Sequence, residues 1–174
     1  MTILLILIVV AGVWAITTIN GFKRKEIKIQ EALSGLEVAL TKRFDTLTKL
    51  LDITKGFMEH ESDLMENVIN LRRGMSVSEM GEADRQMGEL TGRIMAVAEN
   101  YPELRSSDVF VQLQHGVRDA EEHLQAARRL YNANVSNFNI SIAMFPAKLL
   151  AGGYSPKEFY EAEDEKKEDV KMQF

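Results

Sequence analysis

The chain has 174 residues, enough for one domain of ordinary size. Hydrophobic residues make up 45% of it and charged residues 27%, which excludes a wholly disordered protein. There is no cysteine, so disulfide frameworks, thiolate metal sites and cysteine nucleophiles are excluded. The formal net charge of −5 argues against a nucleic-acid-binding protein, because such proteins present strongly basic surfaces.

The first 22 residues carry no charged side chain, and Ile3, Trp14 and Ile19 belong to an almost unbroken apolar run. As a helix these residues would extend about 33 Å, which matches the hydrocarbon core of a bilayer. We interpret residues 1–22 as a transmembrane anchor. A cleaved signal peptide is one alternative, but it would need a basic n-region and nothing basic precedes Ile3. A buried core helix is the other.

Four basic residues follow the apolar run directly, at Lys23, Arg24, Lys25 and Lys28, against the single acid Glu26. The positive-inside rule then places the N-terminus outside and the domain that follows in the cytoplasm. We therefore expect a single-pass protein of the inner (cell) membrane. The same side chains can reach anionic lipid headgroups, so the lipid bilayer is an expected partner.

Three stripes of apolar residues at helical spacing follow the anchor. The average step is about 3.6 residues in the first stripe and about 3.5 in the second and third, and a period of 3.5 is typical of coiled coils and helix bundles. The first stripe comprises Ile29, Leu33, Leu36, Leu40, Phe44, Leu47, Leu51, Thr54 and Met58; the second Met80, Ala83, Met87, Leu90, Ile94, Val97 and Tyr101; and the third Phe110, Leu113, Val117, Ala120, Leu124, Ala127, Tyr131, Val135, Phe138, Ile142 and Phe145.

Residues that typically begin or end helices separate these stripes. Ser76 or Ser78 is a natural N-cap for the second helix, while Pro102 and Pro146 end the second and third. No alternating β-branched run or hairpin turn occurs. The short connections at 74–78 and 102–107 favour antiparallel neighbours. The sequence predicts an all-α protein in which a transmembrane helix precedes an antiparallel up-and-down (four-)helix bundle spanning residues 23–150.

The remaining residues, 151–174, are predicted to form an acidic C-terminal tail. Between Glu158 and Asp169 there are seven acids and two lysines, a pattern typical of a solvated, poorly ordered segment. A docking segment is the alternative, because Phe159, Tyr160 and Phe174 would be unnecessary in a merely solvating tail.

Several short motifs in the chain resemble those of the LemA family. The run AENYPELR at residues 98–105 is similar to the family's A-E-x-Y-P-x-L-[KR] motif, and ARRLYN at 127–132 leads into a matching series at 135–146 that ends in Phe-Pro. The resemblance implies a bacterial single-span membrane protein with a cytoplasmic antiparallel four-helix bundle, and no defined catalytic activity. LemA-like sequences usually carry a proline near residues 46–51, where this chain has none. Whether the first helix is broken between 45 and 60 is left open.

A set of polar residues follows the apolar seam of the third helix. Glu121, Arg128, Asn132 and Asn139 are separated by 7, 4 and 7 residues, which places them on one helical face. Polar groups at a bundle seam are costly unless hydrogen-bonded, so we predict that they set helix register through cross-helix pairs. A ligand- or peptide-binding groove is the alternative. The candidate partners are Glu99 and Tyr101 on the second helix and Asp45, His60 and Glu61 on the first.

His115, Asp119 and His123 recur every four residues, a spacing that can present metal ligands on one face. A metal site would need further ligands from another helix, and the Glu-x-x-His pairs of di-iron bundles are absent from the sequence. No phosphate loop, nucleophile elbow or zinc-protease motif occurs either. We therefore expect no metal, no cofactor and no enzymatic activity.

Together these features predict a membrane-anchored scaffold or interaction protein whose helix faces bind other proteins. Self-association into a homo-oligomer is one form that this binding could take. A small-ligand or metal-binding sensor bundle at the membrane face is the alternative function, based on the polar face and the histidine spacing.

Overall fold

The computed structural model describes residues 1–55 and 75–160. Its helices are α1 (Thr2–Thr54), α2 (Val77–Asn100), the short α3 (Pro102–Arg105) and α4 (Asp108–Ala143), followed by a 3-10 helix at Ala147–Leu150. The described residues contain no strand. The predicted all-α fold, a long apolar N-terminal helix leading into a helix bundle, is confirmed.

Helix α1 continues without a break through residues 45–54. The absence of a proline at 46–51 explains this, because nothing there removes a backbone donor or clashes with the preceding turn. The threonines in this stretch remain compatible with the helix, since Thr46 and Thr48 each donate a hydrogen bond to the carbonyl four residues earlier. The part of the first stripe at Met58 lies outside the described residues.

Helix α2 begins with a complete capping box at Ser76, which decides between the two predicted caps. The Ser76 hydroxyl accepts a hydrogen bond from the backbone N–H of Glu79 at 3.2 Å, and the Glu79 carboxylate accepts one from the backbone N–H of Ser76 at 2.6 Å. These bonds from Ser76 hold the pKa of Glu79 below its ordinary value. Ser78 lies within the first turn and does not cap the helix.

Replacing Ser76 with alanine is expected to lower the free energy of unfolding by about 1 kcal/mol, because the backbone N–H of Glu79 loses the hydroxyl that accepts its hydrogen bond. Chemical denaturation of the full chain in detergent measures this change. Ser78→Ala is the matched control, an exposed serine two residues later, and should have an effect close to zero. Equal losses in the two variants would contradict the capping assignment.

The apolar stripes mark the buried faces, with two exceptions at helix ends. Tyr101 is exposed because Pro102 disfavours the helical conformation at the preceding residue, and the Tyr101 ψ of 87° lies outside the helix. Phe145 is exposed because α4 has already ended at Ala143. The helical period therefore predicts the interior of each helix correctly and fails one residue from the prolines.

The chain divides into two compact units, each containing part of α1 and part of α4. The first comprises Met1–Leu36 and Ala127–Phe159, and the second comprises Glu37–Ala126 together with the C-terminal segment from Tyr160. In the first unit the buried apolar side chains are Phe22, Ile29, Ala32, Leu36, Tyr131, Val135, Phe138, Ile142 and Ala151.

In the second unit α2 packs with α1 and α4, and its stripe residues Met80, Met87 and Ile94 are fully buried. Helices α1 and α4 approach closely at Gly116, where an added Cβ would lie 3.2 Å from Cγ2 of Thr46. Thr46 lies beside Gly116, and Arg43, three residues earlier on α1, pairs with Glu121, five residues later on α4. Helices α1 and α4 are therefore antiparallel in this unit.

Candidate functional site

A buried ionic cluster joins three helices of the second unit. Arg43 on α1 forms an ion pair with the carboxylate of Asp84 on α2, and its Nη1 also donates to the Asp84 backbone carbonyl at 3.2 Å. Its Nη2 donates to Oε1 of Glu121 on α4 at 2.7 Å. One guanidinium therefore bridges all three helices.

The cluster is largely shielded from water. Arg43 is 6% exposed and Asp84 is 3% exposed, while the Glu121 side chain is less buried. Removing an arginine and an aspartate from water costs several kcal/mol, and mutual attraction compensates for this only when the geometry and hydrogen bonding are good. Here one cation faces two carboxylates, and a fourth group completes the cluster.

That fourth group is Tyr160, which is 2% exposed. Its hydroxyl oxygen lies 3.2 Å from the Met80 carbonyl oxygen and 3.4 Å from Oδ2 of Asp84. The ring fills the core beside α2 while the hydroxyl reaches the ionic cluster. The C-terminal segment is therefore attached to the same charged centre as the three helices.

The cluster partly agrees with the sequence prediction for the polar seam. Glu121 does pair across helices, but its partner is Arg43, rather than the predicted Asp45, His60 or Glu61. Asp45 is exposed, and the other two lie outside the described residues. Arg43 was missed although the sequence held a signal: it lies seven residues from both Leu36 and Leu50, which are fully buried.

A second set of polar contacts holds the C-terminal segment in the first unit. Asn139 on α4 makes two hydrogen bonds with the backbone of Lys157, accepting from its N–H at 2.8 Å and donating to its carbonyl at 2.9 Å. The Tyr131 hydroxyl donates to the Glu158 carbonyl at 3.0 Å. Burial raises the pKa of Tyr131, which keeps this hydroxyl protonated as a donor.

Side chains of the same segment pack on both long helices of this unit. The Tyr154 ring makes edge-to-face contacts with Phe22 of α1 at 5.2 Å and with Phe138 of α4 at 6.0 Å between centroids. Lys157 Nζ lies 3.2 Å from Oε1 of Glu26 and 5.9 Å from the centre of the Phe138 ring. We call residues 154–160 the C-terminal strap.

At residues 154–160 the structure corrects the prediction of a solvated tail over residues 151–174. Residues 154–160 dock through aromatic and backbone contacts, so the docking alternative describes this part, as the presence of Phe159 and Tyr160 had indicated. The acidic residues 161–174 lie outside the described part of the chain. The physical reason for docking is that Asn139 satisfies both backbone groups of Lys157, which an extended segment could otherwise pair only with water.

The Glu26 carboxylate provides a pH-dependent contact to the C-terminal strap. Hydrogen bonds from Lys23 and then from Lys157 hold its pKa below the ordinary value of 4.5. A lowered folded-state pKa means that this contribution to stability is present above pH 4.5 and is lost as the pH falls through the folded value.

In the folded chain, a carboxyl titration by NMR should therefore place the Glu26 midpoint below 4.5. Lys23→Met should raise the midpoint more than Lys157→Met does, because the Lys23 bond has the larger effect. Lys28→Met is the control: Lys28 is an exposed lysine on the same helix, and the change should leave the midpoint nearly unchanged. A midpoint unaffected by Lys157→Met would show that the strap does not contact Glu26.

The other predicted polar residues are distributed differently. Glu99 and Tyr101 are exposed and do not line a buried seam, whereas Arg128 and Asn132 are half-buried and engaged in interactions. His115, Asp119 and His123 lie on the surface. Within residues 1–55 and 75–160, no group of three or more potential metal ligands of the His, Cys, Asp or Glu type comes together.

The predicted anchor forms the first part of α1 and is almost wholly exposed. Ile3, Trp14 and Ile19 all present apolar surface, and only Ala15 and Thr18 are half-buried among residues 1–20. Of the helices that the structure describes, α1 is the one long and apolar enough to cross a membrane.

The basic residues follow on the same helix. Lys23 donates to Glu26 at 2.8 Å, and Lys25 Nζ reaches the Asn137 carbonyl of α4 at 3.4 Å. Arg24 and Lys28 are exposed. This group therefore combines contacts to the fold with charge available to solvent.

A helix bundle whose long N-terminal helix is apolar and exposed is the arrangement of a membrane-associated helical protein. The LemA family matches residues 32–174, and the chain belongs to that family. It is similar to Protein LemA of Metamycoplasma hominis, with 25% identity over 131 residues that cover 72% of this chain and 60% of that protein.

Two magnetosome proteins are also similar to the chain. Magnetosome protein MamQ 2 of Paramagnetospirillum magneticum is 33% identical over 81 residues, and Magnetosome protein MamQ of Magnetospirillum gryphiswaldense is 30% identical over 80 residues. Each match covers 45% of this chain and about 30% of the magnetosome protein. The chain therefore spans about 60% of the LemA relative and under a third of the MamQ relatives.

Proposed function

We propose that this protein is a single-pass membrane-anchored scaffold that presents helix faces to protein partners at the cytoplasmic face of the inner membrane. The observation that carries the proposal is the continuity of α1. The same helix begins as an exposed, uncharged segment and goes on to supply Arg43 to the buried ionic cluster.

The orientation in this proposal rests on the charge around the apolar segment. Lys23, Arg24, Lys25 and Lys28 lie on one side of it, and cytoplasmic flanks of membrane helices carry such an excess of basic residues. The bundle lies on that same side of the segment in the chain. It would therefore face the cytoplasm, with the N-terminus outside.

The internal contacts favour a scaffold over a ligand sensor. Glu121 and Asn139, which the sensor hypothesis would place in a binding groove, bond to Arg43 and to the Lys157 backbone. An ion pair that links three helices fixes their register, which suits a surface of constant shape.

Three exposed apolar side chains on the helices are the positions at which we propose to look for protein partners. Val38 on α1, Val109 on α4 and Leu130 on α4 are each more than half exposed, although they lie on otherwise well-packed helices. Burying such side chains against a partner is favourable, because it removes apolar surface from water.

Photo-crosslinking in cells tests this function. A photoreactive amino acid placed at Val38, Val109 or Leu130 of the full chain should give discrete protein adducts, at yields near stoichiometric for at least one position. Lys49, an exposed polar position on α1, is the matched control and should give few. Adducts between two copies of the chain would identify a homo-oligomer. Adducts no more abundant than at Lys49 from all three positions would contradict the scaffold function.

A further inference from the structure

The last turn of α4 and the connection to the C-terminal strap together expose an unusual amount of apolar surface. Phe145 is 80% exposed and Leu149 is 72% exposed, and Ile140 and Met144 are also more than half exposed. We call these four residues the apolar elbow. From Leu130 to Pro156 the only charged side chain is Lys148. So large an apolar group on one connection marks an interaction site, whereas single exposed apolar residues do not.

The contacts within the first unit fix where the apolar elbow lies along α1. Lys25 reaches the carbonyl of Asn137, and Phe22 and Phe138 share the ring of Tyr154. Later residues of α4 therefore lie beside earlier residues of α1. Ala143, the last residue of α4, is six residues beyond Asn137, which corresponds to about 9 Å of helix.

The same distance along α1, measured back from Lys25, leads to Ile19. This residue belongs to the uncharged segment proposed to cross the membrane. The burial pattern supports this placement, since Ala15 and Thr18 are half-buried and share one face of a segment that is otherwise exposed. The end of α4, where the apolar elbow begins, thus lies beside the last residues of the uncharged segment of α1.

We propose that the apolar elbow inserts into the lipid bilayer beside α1, as a second membrane contact of the folded domain. This inference rests on the proposed membrane anchoring by α1. We favour lipid as the material that covers the elbow, because the elbow begins beside the apolar segment of α1. The basic residues that directly follow that segment, where lipid headgroups would lie, are Lys23, Arg24, Lys25 and Lys28. Lys148 can extend its ammonium group to the headgroups while its stem stays among the acyl chains.

Insertion at this point has a structural consequence. A single helix leaves a domain free to tilt and rotate about its anchor, whereas two contacts in the same unit restrict both motions. The first unit would then be held in one orientation to the membrane.

The absence of cysteine allows a direct test with the full chain in liposomes of phosphatidylcholine and phosphatidylglycerol. Single cysteines introduced by Phe145→Cys, Leu149→Cys, Val109→Cys and Ile8→Cys are labelled with an environment-sensitive fluorophore. Val109 is the matched control, an exposed apolar residue at the opposite end of α4, and Ile8 reports on the anchor itself. All four side chains are exposed, so labelling should not disturb the fold.

We expect labels at Phe145, Leu149 and Ile8 to show a several-fold rise in emission, to be quenched by nitroxide-bearing lipids and to be protected from iodide. The label at Val109 should show the reverse. If Ile8 is quenched by lipid while Phe145 and Leu149 behave like Val109, elbow insertion is wrong and the anchor stands. If Ile8 is also water-exposed, the proposed anchoring is wrong, and insertion with it. Protection from iodide without quenching by lipid would show that protein, and not the bilayer, covers the elbow.

Discussion

Replacing Arg43 with methionine is expected to lower the free energy of unfolding by about 3–5 kcal/mol. The substitution keeps an unbranched apolar side chain of similar length but leaves the carboxylate of Asp84 buried without its cation. An uncompensated buried charge is among the most destabilising changes that a single substitution makes. Chemical denaturation of the full chain in detergent measures the loss.

Arg85→Met is the matched control. Arg85 is the next residue after Asp84 on α2 and also contacts two acids, Glu82 and Glu89, but on the exposed surface. Its removal should cost at most about 1 kcal/mol, as exposed ion pairs usually do. The double variant Arg43→Met/Asp84→Leu should recover much of the loss, because it removes the stranded charge together with its partner. Equal losses for Arg43→Met and Arg85→Met would show that the cluster is not buried.

Truncating Tyr160 to alanine is expected to cost about 3–5 kcal/mol, the usual range for removing a buried aromatic ring. The substitution leaves a cavity beside α2 and removes the hydroxyl that lies near Asp84 and the Met80 carbonyl. Tyr160→Phe keeps the ring and should cost only about 1 kcal/mol, the net contribution of a typical hydrogen bond. Denaturation curves for both variants give the two values.

Phe159→Ala provides the control for the C-terminal strap. Phe159 is the preceding aromatic residue, but it is 45% exposed, so its truncation should cost much less than that of Tyr160. We therefore expect a larger loss in the free energy of unfolding for Tyr160→Ala than for Phe159→Ala. In a solvated tail, neither substitution would change the free energy of unfolding. A negligible loss for Tyr160→Ala would contradict the docked position.

The helices could be predicted from the sequence because the apolar period and the capping and helix-ending residues indicate the same helix boundaries. Met80, Met87 and Ile94 follow the helical period and are buried, and Ser76 begins α2 with the acid that completes its capping box. Pro102 ends that helix for a purely local reason. Each of these outcomes depends on residues close in the chain, which a single sequence displays.

The ionic cluster and the C-terminal strap depend on residues far apart in the chain. Arg43 and Glu121 are 78 positions apart, and their pairing follows from the register of α1 against α4, which the apolar period does not fix. The composition of the tail favoured solvation because its acids outnumber its aromatic residues. Tyr160 docks instead because its single ring is buried in the core beside α2.

The central claim is that α1 anchors the protein in the membrane and holds the bundle in the cytoplasm. Labelling of single cysteines by a membrane-impermeant maleimide, in spheroplasts of a Gram-negative host, tests this claim most directly. The full chain should carry Thr2→Cys before the apolar segment or Val38→Cys beyond the basic residues. The account predicts that intact spheroplasts label Thr2→Cys and not Val38→Cys, and that lysed spheroplasts label both. Labelling of Val38→Cys in intact spheroplasts, or recovery of the chain in the fraction that needs no detergent, would contradict an anchor that holds the bundle in the cytoplasm.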